Sequence, residues 1–208
     1  MLALRIDFLN DTYHAADPTA HSAPEWPPHP DRVFQALVAA AYGTGTDPTP
    51  LRELEGLPPP ELAFGDAWVA GTGSLYTAAT WLEKPSREPW SRTNVVKYDP
   101  VMVGIRDPVY LIWADAPVKL REPLATIAAG VTYLGRAKTP VALSIVSDVP
   151  EMPHCLTPAQ MGNRLLRVPH AGRLDELDAA FDTGRRASVA TMASYTDATE
   201  RIEVSPWK

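Results

Sequence analysis

Tyr13 and His14 stand side by side just after the first predicted strand, and they are the one pair in the 208 residues whose types suit acid–base work. A histidine titrates near neutral pH, so His14 beside a ribose 2′-hydroxyl could act as general base in metal-free RNA cleavage, with Tyr13 as its partner. The same pair at a strand end also serves as packing or as an RNA contact, and residue types alone leave all three readings open. Other chemistry is scarce. The five histidines, His14, His21, His29, His154 and His170, show no close pair at metal-ligand spacing, and the lone Cys155 cannot build a thiolate zinc site. No phosphate loop, dinucleotide fingerprint or nucleophile elbow is present. Neither a metal nor an organic cofactor is expected.

Charge offers a second kind of chemistry. The net charge is -6, yet residues 1–66 hold three basic side chains against ten acidic ones, and the rest of the chain has a balance of +1. Polyanion binding follows local fields more than totals. Lys84, Arg87, Arg92, Lys97 and Arg106 share a loop-rich stretch with only Glu83, Glu88 and Asp99, while Arg136 with Lys138 and Arg185 with Arg186 follow predicted helix ends. Such cations suit phosphate; they also suit solvent and the negative end of a helix dipole.

These residues need elements to hold them. Leu2, Leu4, Ile6 and Phe8 alternate with Ala3, Arg5, Asp7 and Leu9, the period of a half-buried strand. The run Trp26-Pro27-Pro28-His29-Pro30 predicts a stiff strut that presents Trp26 and His29 and starts a helix over Pro30 to Tyr42, with Gly43 as its stop. A weaker strand is predicted over Glu61 to Ala70, a third over Val109 to Trp113, a second helix from Glu122 to Leu134 with Gly135 at its end, and a fourth strand over Val141 to Val146. The order βαββαβ predicts an α+β, ferredoxin-like (RRM-like) domain over residues 1–150. The segment from about 71 to 108 carries Tyr76, Trp81, Trp90 and Tyr98 among its cations and reads as an ordered protrusion, in the form of a hairpin. Residues 151–208 read as an extension packed on the domain, with a helix from Gly172 to Thr183 striped by Leu174, Leu177 and Phe181. Aromatics of an RNA-stacking platform are poorly met on the predicted strands, Tyr110 being isolated, so RNA would meet loops and basic helix ends.

Composition bounds the setting. Hydrophobic residues make up 45% and charged residues 21%, as in globular proteins, and the 22 prolines imply long ordered loops. Arg5 and Asp7 interrupt Leu2 to Leu9, unlike a signal peptide, and no run approaches the roughly 20 apolar residues of a membrane span. With a single cysteine, the expectation is a cytoplasmic protein without a membrane partner.

Tyr13-His14-Ala15, Ala23-Pro24-Glu25-Trp26-Pro27-Pro28 with Pro30, and Ala36-Leu37-Val38-Ala39-Ala40 resemble the N-terminal part of the type I-U (I-G) CRISPR-associated Csb-two proteins. Tyr133-Leu134-Gly135-Arg136, Leu166-Arg167-Val168-Pro169 and Gly184-Arg185-Arg186 extend the resemblance over most of the chain in the same order. It implies a Cas-five-like member of the RAMP superfamily that holds the 5′ handle of CRISPR RNA (crRNA). Implied partners are Cas-seven-like backbone subunits, which it caps, a large Cas-eight-like subunit and, through that subunit, target DNA. Csb-two proteins usually continue into a Cas-six-like nuclease domain; the sequence given ends at Lys208, so by the resemblance either a separate Cas-six-like processing nuclease is a further partner or the chain is a fragment of such a fusion. Where the family often carries serines after Tyr-Leu-Gly-Arg, this chain has Ala137-Lys138-Thr139.

By the same resemblance, Arg136 and Lys138 contact handle phosphates, Tyr13 and His14 stack on or bond to an unpaired base, and Arg32 stays free for a partner or phosphate. Arg92 and Lys97 lie on a thumb that meets the guide and the adjacent backbone subunit, and Arg185 with Arg186 adds a further basic contact. The alternatives are an endoribonuclease using Tyr13 and His14 on repeat RNA, and a protein-interaction module that binds no RNA.

Overall fold

The computed structural model describes residues 1–17, 23–69, 102–185 and 187–197, and the backbone alone of 74–78 and 94–98. Its frame is a split βαβ arrangement. Strand β1 (Leu2–Phe8) leads through a short strand β2 (Thr12–His14) to helix α1 (Pro30–Thr44), and a small helix α2 (Thr49–Glu55) precedes strand β3 (Glu61–Phe64). Strands β4 (Ala67–Val69), β5 (Ser74–Ala78), β6 (Asn94–Tyr98) and β7 (Met102–Ile105) come next, then β8 (Val109–Trp113), helix α3 (Arg121–Ala129) and β9 (Val141–Val146). In space the main strands run β3-β8-β1-β9 and all pair antiparallel, which is the ferredoxin-like order. Leu2, Leu4, Ile6 and Phe8 of β1 join Phe34 and Leu37 of α1 and Leu124 and Ile127 of α3 in one core, so the alternation seen in the sequence is the side of the sheet that the helices cover.

The predicted strands at Val109–Trp113 and Val141–Val146 coincide with β8 and β9. Three boundaries move, the first for a local reason and the other two for tertiary ones. Helix α1 runs through Gly43 and ends at Gly45, whose φ of 70° makes the left-handed cap that a side chain disfavours. Helix α3 stops at Gly130 instead of continuing to Leu134. Thr132 O accepts from Val141 N (3.1 Å), Leu134 N donates to Thr139 O (3.1 Å), and Tyr133 bridges Pro140, so the chain trades helical bonds for pairing with the start of β9. Val131 and Leu134 stay buried all the same. The strand expected to reach Ala70 breaks after Phe64. A β-carbon on Gly65 would overlap the Asp107 side chain, and beyond that close approach β4 joins a separate sheet, β2-β7-β4.

β4 pairs with β7 and β5 pairs with β6 in one register, Ala67 opposite Ile105 and Ala78 opposite Asn94, with equal numbers of residues on both arms. Within the insertion, β5 and β6 form an antiparallel pair; the expected hairpin's remaining residues, Trp81 and Trp90 among them, lie outside the described residues. The C-terminal part holds the expected helix, α4 (Arg173–Asp182), together with three strands the sequence reading lacked, β10 (His154–Pro158), β11 (Arg164–Val168) and β12 (Thr191–Asp197). β10 pairs along the free edge of β3, and β12 and β11 follow, extending the main sheet to seven strands. Among the described residues no helix is long and apolar enough to cross a membrane.

A candidate nucleic-acid interface at one end of the sheet

The turn between α3 and β9 is fastened to the end of β2. Gly135 adopts φ 75°, and a β-carbon there would stand 2.8 Å from His14 O, so both conformation and space require glycine. Arg136 N donates to His14 O (3.1 Å), His14 N donates to the buried Thr139 Oγ1 (2.9 Å), and Thr139 N closes the turn on Arg136 O (2.9 Å). Asn10 Nδ2 donates to Lys138 O (2.9 Å) from the other side. Arg136, Ala137 and Lys138 are exposed at the tip of this anchored loop. The structure thus brings together Tyr13-His14 and Arg136-Lys138, more than 120 residues apart in sequence.

Their side chains are used differently. Tyr13 is fully buried, packs edge-on against Phe8 and Trp26, and donates its hydroxyl to Glu25 Oε1 (2.9 Å). Burial, then the Glu25 charge, pushes its pKa well above the usual phenol value. Tyr13 therefore offers no ring face to a base and no reachable proton; stacking and acid–base roles do not fit its position. His14 is half-buried at the edge of the loop.

Glu25 is the centre of this end of the molecule. Its carboxylate is 0% exposed and also accepts from His29 N (3.2 Å), from Arg32 Nε (2.6 Å) and Nη2 (2.8 Å), and from Arg167 Nη2 (2.5 Å). Burial pushes the carboxyl up, but the Arg32 hydrogen bond and the charges of His29, Arg32 and Arg167 outweigh it and hold the pKa at about 2. Arg32, expected to be free, is locked in a two-pronged pair. The proline strut is likewise packed rather than presented: His29 is buried with Nδ1 accepting from Arg167 N (3.3 Å), and Trp26 sits against Phe8, Tyr13 and Phe64. The Trp26-Pro27 peptide is cis.

Two aromatics of this part of the molecule are exposed, Tyr133 beside the loop and Trp68 on the three-stranded sheet. A groove of about 510 Å³ runs between α1 and residues 130–135. Small side chains such as Ala36, Ala39 and Gly43 line it together with Arg32, and Tyr133, half exposed, forms a wall. On the three-stranded sheet Trp68 lies over Gly104, where a β-carbon would overlap the indole, and the Arg106 guanidinium covers its ring at 5.6 Å. Sequence reasoning missed both as contact residues. Tyr133 was counted within a helix, and the Trp68–Gly104 pairing is legible only once β4 and β7 are in register.

The remaining cations are elsewhere. Arg185 is exposed after Gly184 at the end of α4, its N–H closing on Ala180 O (2.9 Å). Arg92, Arg186 and the side chain of Lys97 lie outside the described residues. Tyr110 is buried, so the main sheet presents no stacking platform there. Among the described residues no group of three His, Cys, Asp or Glu is placed to hold a metal. A rigid cationic loop tip, a groove beside it, and exposed aromatic rings suit phosphates and unstacked bases.

No curated protein matches the chain. A family model described as CRISPR-associated protein, GSU0054 family, matches residues 2–207, which takes in the whole seven-stranded sheet, the β5–β6 pair and the Gly135 loop. The chain belongs to this CRISPR-associated GSU0054 family, and its role lies in CRISPR defence.

Proposed function

We propose that the protein is the Cas-five-like subunit of a type I interference complex, of the I-U/I-G kind, which binds the 5′ handle of crRNA and caps a backbone of Cas-seven-like subunits. The observation that carries this reading is the Gly135–Thr139 turn, whose backbone bonds to His14 and Asn10 hold two cations in one fixed place. Preorganised cations bind a polyanion without first losing loop entropy. Tyr133, beside them, supplies a ring on which an unpaired base stacks. The insertion with its β5–β6 pair serves as the thumb against the guide and the adjacent backbone subunit, with Arg92 and Lys97 on it. Residues 151–208 act with the ferredoxin-like part as one unit, and the other partners are a large Cas-eight-like subunit, target DNA and a Cas-six-like processing nuclease.

Arg136→Ala with Lys138→Ala is expected to weaken crRNA retention in the assembled complex by about tenfold at physiological salt. It should also flatten the slope of log affinity against log salt by roughly 1.4, the share of two single-strand phosphate contacts. Filter binding across a salt series reads both quantities, and an unchanged slope would remove these two residues from the interface.

A further inference from the structure

Helix α4 carries an apolar stripe that, among the described residues, is covered only at one end. Leu174 is fully buried, Leu177 is half-buried, and Phe181, one further turn along, is 86% exposed. Facing it on α1 are Val38 and Tyr42, the latter 52% exposed. The two helices leave a groove of about 660 Å³ lined mostly by apolar surface, next to the groove that Tyr133 walls, with Gln35 and Ala39 of α1 between the two. Tyr42 Oη donates to Asp178 Oδ2 (2.8 Å) across it. Among the described residues, Asp178 and Asp182 are the charged residues of its lining, and no described cation lines it. The neighbouring acids of α4 are already matched, Asp175 by Arg52 (2.7 Å) and Glu176 by Arg173 (3.0 Å) and His170 (3.0 Å).

We propose that this groove docks a short amphipathic helix of another protein subunit, with apolar residues one turn apart seated against Val38, Leu177 and Phe181 and a lysine or arginine beside Asp178 and Asp182. A continuous apolar stripe that leaves its own core is the usual mark of an interaction surface, and helix-in-groove docking reads anchors at this spacing. The charge selects the occupant. Phosphates are disfavoured by a lining whose charged groups are the two carboxylates, and a second copy of this chain would bring the same two carboxylates face to face. The inference does not depend on where RNA binds.

The test uses the assembled complex with the photo-reactive residue benzoylphenylalanine installed at position 181. The expected result is a crosslink to a different protein subunit, within a segment that has one-turn apolar spacing and carries Lys or Arg. A synthetic peptide of that segment should bind the full chain at least tenfold more weakly after Phe181→Asp, and with reduced salt dependence after Asp178→Asn with Asp182→Asn. Both variants should keep their crRNA, which separates this surface from the Gly135 loop, and Phe181→Asp should leave the melting temperature unchanged because the ring is exposed. A crosslink to RNA, to a second copy of this chain, to an acidic segment or to nothing would overturn the proposal, as would a peptide whose affinity Phe181→Asp leaves unchanged.

Discussion

Glu25→Ala is expected to lower the unfolding free energy by about 3–5 kcal/mol, the cost of stripping one partner from a buried charge cluster. Glu25 is fully buried, and its two oxygens answer four groups at once: the Tyr13 hydroxyl, the His29 backbone N–H, and the Arg32 and Arg167 guanidiniums. Alanine would leave a buried phenol and two cations facing one another without their shared anion. The consequence reaches beyond the site, because Arg167 lies on β11 and is joined to the strut through Glu25 and His29. Urea unfolding of the purified chain measures the loss, and Glu25→Gln, which keeps the shape and part of the bonding, should fall between the two.

The same cluster sets an acid response. The folded-state pKa of Glu25, about 2, lies below the roughly 4.3 of an exposed glutamate, so its contribution is complete above about pH 4.3 and is lost as pH falls towards 2. Glu176, held at about 2 by Ser188, His170 and Arg173, adds to that lower limb. His29 is pulled below its usual value, by burial first and with Arg167 and Arg32 adding to it against the attraction of Glu25. The unfolded chain therefore takes up a proton there before the folded one does, and stability begins to fall as pH drops below about 6.5. Urea midpoints against pH should show two limbs, the upper one removed by His29→Asn and the lower one reduced by Glu25→Gln.

Arg173→Met should cost a similar amount, about 3–5 kcal/mol. Arg173 is 1% exposed and pairs with the fully buried Asp31 through Nε (2.9 Å) and Nη2 (3.1 Å), while its Nη1 reaches Ser188 O (3.1 Å). Methionine fills the volume but strands the Asp31 carboxylate near the start of α1, where it keeps the bond donated by Gln35 Nε2 (2.7 Å). Adding Asp31→Leu to Arg173→Met should recover a large part of the loss, since a buried pair replaced by apolar groups is often neutral where half a pair is not. A double-mutant cycle in urea checks this coupling, and simple additivity would show that the two residues act separately.

The frame of the fold was legible because it rests on local pattern. β8 and β9 are apolar runs whose limits are set by their neighbours in sequence, and the stripe of α1 starts where Pro30 permits it. Helix α3 ended early because the competing partner, the start of β9, was invisible to a helical period. The strands β10, β11 and β12 were missed because they are short, polar at many positions, and stabilised by an edge of β3 about ninety residues upstream. At the site, the motif Tyr133-Leu134-Gly135-Arg136 pointed to the loop, and the glycine conformation gives the reason for it. The role of Arg32 was misread because nothing in the sequence joins it to a carboxylate seven residues earlier and, through that, to Arg167. The acidic balance of the first 66 residues did not show in the sequence which carboxylates are buried: Glu25, Asp31 and Glu55 are, and Glu55 accepts from Gly172 N (2.9 Å) and Leu174 N (2.7 Å) at the start of α4.

The central claim is that the Gly135 loop and Tyr133 hold the 5′ handle of a guide RNA. Ultraviolet crosslinking of the native assembly, with mass spectrometry of the joined peptides and sequencing of the joined RNA, tests it most directly. The account predicts that peptides spanning residues 133–138 carry nucleotides of the repeat-derived handle, on the 5′ side of the spacer. Crosslinks confined to spacer or 3′ nucleotides, or an assembly from which this chain purifies without RNA contact, would contradict it.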